Sequence, residues 1–151
     1  MAFNRYVIEA KLALGAIHPE DYPGLAIEAL DAGVDGPVTR RTAGLIHPTG
    51  HETDQLRAAF MAEAGLQDID PNRAAARLAQ DLAREVLRGG KDPLSFTRAF
   101  ERLWIAADYA SSVQDLGTMD DEVYLYERDV DEARKMVRKR LVEIAEAPDL
   151  P

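Results

Sequence analysis

The chain contains no cysteine. That one absence excludes disulfides, thiolate metal sites and cysteine nucleophiles together, and it fits a reducing, cytoplasmic setting. Serine is scarce as well. Ser95, Ser111 and Ser112 are the whole supply, and none sits in the G-x-S-x-G frame that presents a nucleophile on a sharp turn. Strand signals are missing: there is no alternating β-branched run and no Asn-Gly hairpin. No apolar stretch approaches the ~18 residues that suggest a membrane span. The opening MAFNRYVIEAKLALGAI is interrupted by Arg5, Glu9 and Lys11, so it reads as a helix and not as an export signal.

What the chain does have is acid and helix punctuation. Asp and Glu outnumber Lys and Arg by 27 to 18, a net charge of −9. Such a surface repels nucleic acid and anionic membranes at long range and favours cationic partners. With 151 residues, 46% of them hydrophobic, the chain has the length of about one domain. It can bury roughly two-thirds of its unfolded surface without staples. The expectation is all-α: a single compact domain over residues 1–151, with about seven helices and a long one at the C-terminal end.

Glycine and proline mark the helix ends. The first helix runs from about Asn4 to Leu14, carries Val7, Ile8, Leu12 and Leu14 at helical spacing, and stops at Gly15. The second opens at Pro19, carries Leu25, Ile27 and Leu30, and ends at Gly33. A short third helix spans Pro37 to Ala43, closed by Gly44. In TGHETDQLRAAFMAEAG, Leu56, Phe60 and Ala64 share one face before Gly65. Asp70 and Pro71 then start a helix whose buried stripe is read as Ala75, Leu78, Leu82 and Val86. Asp92 and Pro93 repeat the device ahead of Phe96, Ala99, Phe100, Leu103 and Ala107. Residues 110–118 read equally as helix or loop, with Gly117 and Thr118 suggesting a break and Thr118 with Asp121 resembling a cap. Beyond them Val123, Tyr126, Val130, Ala133, Val137, Leu141 and Ile144 recur every three or four residues. That stripe predicts one helix of roughly 25 residues, about 40 Å long, ended by Pro148.

Three stretches invite a chemical reading. HPTGHETDQ holds His47, His51, Glu52 and Asp54, but Gln55 stands where a zinc-protease helix needs its second histidine. Thr49 and Glu52 form a T-x-x-E capping box there, so a helix start is the better reading. A metal-dependent hydrolase using His47, His51 and nearby acids is kept as an alternative. His18, before Pro19, reads as another helix entrance. AIEALDAGVDGPVTRR has a partial helix-turn-helix pattern with Arg40 and Arg41 on its second helix, so a DNA-binding protein is the other alternative. Asp31 and Asp35 at its turn work against phosphate neutralisation and argue against nucleic acid. The third stretch is the last helix. Asp120, Asp121, Glu122, Glu127, Asp129, Asp131 and Glu132 crowd its first half; Arg134, Lys135, Arg138, Lys139 and Arg140 crowd the second. Acids first and bases last suit the helix dipole. The same polarity can also form a docking surface.

The segment LALGAIHPEDYPGLAIEALDAGVDGPVTRRTAGL resembles the opening of a group of small uncharacterised all-helical bacterial proteins, and RGGKDPLSFTRAF resembles that group's Gly–Asp–Pro helix junction. The resemblance covers about half the chain, rests on helix punctuation, and implies a fold without implying an activity or a site. With no catalytic constellation in the sequence, the expected role is non-enzymatic. The chain reads as a protein-binding accessory or regulatory protein of the immunity type, with an acidic surface and no cofactor. Its expected partner is a basic protein, or a second copy docked through the C-terminal helix, with no membrane involved. The side chains expected to carry that contact are Tyr124, Glu127, Arg134, Met136 and Arg138.

Overall fold

A computed structural model describes residues 3–126 and 128–151, and among these residues there is no strand; every regular element is helical. No helix among them is long and apolar enough to cross a membrane. The chain divides into two compact units, Met1–Ile69 and Asp70–Pro151.

The first unit contains α1 (Arg5–Ala13), α2 (Tyr22–Asp31), α3 (Pro37–Ala43) and α4 (Gly50–Ala64). Asn4 starts α1 by accepting from the Val7 N–H at 3.3 Å. Pro19–Asp21 forms a 3-10 turn that runs into α2, and the Asp21 carboxylate accepts from the His18 N–H. The Thr49–Glu52 capping box is present in both directions. Gly65 ends α4 with φ at +66, a left-handed conformation that glycine adopts at no steric cost. Ile8, Leu12, Tyr22, Leu25, Ala29, Val34, Phe60, Met61 and Ala64 make the core, with Phe60 fully buried. Burying a side chain of that size contributes about 1.5–3 kcal/mol. Ile27, one of the apolar positions read on α2, is 49% exposed; Ala26 and Ala29 take the inner face.

A long-range contact in this unit seats one end of α3. The Glu63 carboxylate of α4 accepts from the backbone N–H groups of Val38 and Thr39 and from the Thr39 hydroxyl, at 2.9–3.1 Å. It caps the first turn of α3 from outside that helix, satisfying donors that have no partner within it. Gly36 makes room, since a Cβ there would stand 2.2 Å from Glu63 Oε1.

The second unit contains α5 (Pro71–Arg88), α6 (Thr97–Ala106), α7 (Gln114–Gly117), α8 (Met119–Val123) and α9 (Val130–Glu146). Asp70 caps α5 through the Arg73 N–H at 3.0 Å, with Pro71 at the first helical position. Asp92 and Pro93 open a 3-10 turn that becomes α6. The stretch the sequence left open, 110–118, is a 3-10 turn at Ser111–Val113 followed by the single turn of α7.

Two expectations are corrected here. The buried stripe of α5 is Ala75, Ala79, Ala83 and Val86, while Leu78 and Leu82 are only half-buried. Alanines let the backbone of α9 come close, and Ala133, Val137 and Leu141 fill the facing side. The 25-residue helix is also not continuous. A 3-10 turn at Tyr124–Tyr126 follows α8, the Asp129 N–H bonds to Tyr126 O at 2.8 Å, and the Asp129 carboxylate caps a new helix by accepting from the Glu132 N–H at 3.1 Å. The C-terminal helix has 17 residues, about 25 Å.

A polar ladder on α5 fastens the end of α9. Gln80 donates to the carbonyl of Ala147 at 2.7 Å, and Arg84 to that of Ala145 at 3.1 Å. Arg73 and Arg77 both grip the Asp149 carboxylate at 2.7–3.1 Å. The free carbonyls and negative dipole end of α9 thereby meet donors and cations. Hydrogen bonds first from Arg77 and then from Arg73 hold the Asp149 carboxyl well below the usual carboxylate range.

Candidate functional site

The described side chains expected to carry a partner contact, Tyr124, Arg134, Met136 and Arg138, differ in exposure and in partners. Arg134 turns to Asp92, with Nε–Oδ1 at 3.2 Å, and also pairs with Asp131. The hydrogen bond from Arg134 holds the Asp92 carboxyl below its ordinary value and raises the guanidinium in return. Arg134 is therefore a clamp between α9 and the turn before α6. Arg138 is exposed but lines a different, small depression with Val86, Leu87, Lys91 and Pro93. Met136 is half-buried. Glu127 lies outside the described residues. Among the described members of the set, Tyr124 is exposed over 61% of its surface and Arg138 is exposed as well.

Tyr124 sits at an apolar corner that the sequence did not single out. Leu125 is 84% exposed and Val130 50% exposed. Tyr124, Leu125, Tyr126, Arg128, Asp129 and Glu132 line an open depression of about 390 Å³. The corner lies in the most acidic stretch of the chain: residues 120–132 contain seven acidic side chains and one basic one, Arg128, a net −6. Part of this charge is paired internally. Glu122 pairs with Arg140, Asp131 with Arg134, and Glu132 with Lys135. Asp121 and Asp129 are exposed. The available signal was Leu125 itself, a large apolar residue off the helical stripe, which a continuous helix would have turned to solvent.

The chemical alternatives find little geometry. His51 is exposed on α4 and lies 3.1 Å from the Gln55 side-chain nitrogen. His47 is exposed in the loop before α4 with φ at +45, and His18 is exposed ahead of α2. Among the described residues no three His, Asp or Glu side chains converge to hold a metal ion. The α2–α3 pair has the helix–turn–helix order, but Arg40 is bound in a fork by Asp35 at 2.7 Å through both Nε and Nη2. The first turn of α3, where a phosphate would seat, is filled by the Glu63 carboxylate. A larger groove of about 730 Å³ runs beside Asn72, Ala76, Ser112, Ile144, Pro148 and Leu150. Its serine hydroxyls are committed to Asn72: Ser112 Oγ donates to Asn72 O at 2.6 Å and Ser111 Oγ to Asn72 Oδ1 at 3.3 Å. Compared with family models, curated proteins and solved structures, the chain matches none of them.

Proposed function

We propose that the protein is a non-enzymatic binding protein, an accessory or regulatory protein of the immunity type, which docks a basic protein surface. The observation that carries this reading is the exposed pair Tyr124 and Leu125, which line one open depression with Asp129 and Glu132 within the stretch of net −6. Apolar side chains at the centre of an interface supply contact area, and surrounding charge steers the encounter and selects the sign of the partner. Tyrosine suits such a place because it adds much contact surface for little lost freedom.

The test is affinity capture from the native host with wild-type protein and with Leu125→Asp, followed by mass spectrometry. The reading expects wild type to retain a partner with a basic surface, in a manner weakened by salt, and Leu125→Asp to lose it while its circular dichroism spectrum is unchanged. Equal retention by both proteins would remove the corner from the interface. A small-molecule turnover dependent on the purified protein would replace the binding reading altogether.

A further inference from the structure

We infer that α9 exchanges between two copies of this chain, forming a dimer in which residues 119–146 become one continuous helix. The inference does not depend on a heterologous partner. It starts from a disagreement between the apolar pattern and the fold. Val123, Tyr126, Val130, Ala133, Val137, Leu141 and Ile144 keep helical spacing without a slip, and no glycine or proline occurs from Thr118 to Ala147. Nothing in the local sequence forbids a helix between Val123 and Val130, yet the helix is interrupted there. The interruption has a visible cost. Val130, a member of the stripe, is half exposed.

The rest of α9 is suited to exchange because its attachment is self-contained. Ala133, Val137 and Leu141 pack on the alanine face of α5. Gln80 and Arg84 hold its last carbonyls, and Arg73 and Arg77 hold Asp149. If the connection straightens into helix, α9 is carried away from its own α5 and can reach the same face only on another copy. Every one of these contacts then re-forms between copies, as do the Arg134–Asp92 and Arg140–Glu122 pairs. Exchange of an identical element sacrifices no interface and gives a two-fold assembly. The gain is the helical hydrogen bonding of the connection. The cost is the freedom lost on association, so the balance follows protein concentration.

Val130→Pro separates the two states. In the monomer, position 130 is the first residue of α9, where proline is favoured. Asp129, at φ −137 and ψ 78, already has the non-helical backbone that a following proline requires. The chain uses the same Asp-Pro start at 70–71 and 92–93. Inside a continuous helix, a proline at 130 would lack the N–H that bonds to the Tyr126 carbonyl and would clash with it.

The experiment is light scattering with size-exclusion chromatography on the full chain, from micromolar to millimolar concentration. Wild type should dimerise progressively, and Val130→Pro should weaken dimerisation by more than about a hundredfold while keeping its helical content. Should that variant not fold, two glycines inserted between Arg128 and Asp129 make the same test, because they break the helix without touching α9. The inference is overturned if wild type stays monomeric throughout the range, or if either folded variant dimerises as readily as wild type.

Discussion

Glu52 and Glu63 cap helices in the first unit by different routes, and the difference shows what single side chains decide. At Thr49 the route is local. Its hydroxyl accepts from the Glu52 N–H at 3.2 Å, and the Glu52 carboxylate returns to the Thr49 N–H at 3.3 Å. Thr49→Ala removes the acceptor and should lower stability by about 1 kcal/mol, read as a shifted denaturant midpoint with an unchanged slope. A change in slope instead would mean that α4 frays in a larger unit. The local box was legible because its partners lie three residues apart. Glu63 was not, because its partners at Val38 and Thr39 lie 25 and 24 residues away and only the fold brings them together. Gly36 belongs to the same arrangement. It leaves space for a carboxylate from another helix.

Among elements, close approach decides what bulk alone suggests wrongly. The stripe read on α5 is Ala75, Leu78, Leu82 and Val86; Ala75 and Val86 are buried, and the two leucines are only half-buried. The alanines at 75, 79 and 83 win because α9 packs directly upon them. The same rule operates where α6 meets α7. Trp104 lies against Gly117, and an added Cβ would stand 2.3 Å from its Cδ2 atom. The indole is rigid, it makes an edge-to-face contact with Tyr109, and its Nε1 is buried with no hydrogen-bond partner among the described residues. Gly117→Ala should therefore destabilise the protein by about 1–3 kcal/mol, the usual cost of overpacking, despite alanine's better helix propensity. Tryptophan fluorescence during denaturant unfolding reports the change directly. A neutral or stabilising outcome would show that the indole can move aside. Helix starts at Asp70 and Asp92 were legible from capping chemistry, but the interruption after Val123 was not, since it has neither a glycine nor a proline to announce it.

For the molecule as a whole, acid should be the condition that unfolds it, and the sign follows from four carboxyls that join separate elements; Asp35, beside Arg40, is lowered as well. Glu63, Asp92, Glu122 and Asp149 all have folded-state values lowered from 4.5 for Glu and 3.8 for Asp. The leading cause is a backbone hydrogen bond from Thr39 for Glu63, and side-chain hydrogen bonds from Arg134, Arg140 and Arg77 for the other three. A lowered value means that the unfolded chain binds protons first. The stabilisation is thus complete above the unfolded values and is lost as pH falls through 4.5 and 3.8 toward the lower folded values. Self-repulsion acts the other way at neutral pH, where the net charge is −9. Protonating exposed acids relieves that repulsion before the paired ones are reached. The expected profile of denaturant midpoint against pH is level or gently rising from about pH 7 to about pH 5, then falling steeply below about pH 4.5. Added salt should flatten the upper part, because surface charges are screened within about 10 Å at 0.1 M. It should leave much of the acid limb in place, since short, charge-assisted hydrogen bonds are less exposed to screening. A midpoint that keeps rising below pH 4 would mean that these four carboxylates hold little of the fold and that repulsion among the surplus acids governs it instead.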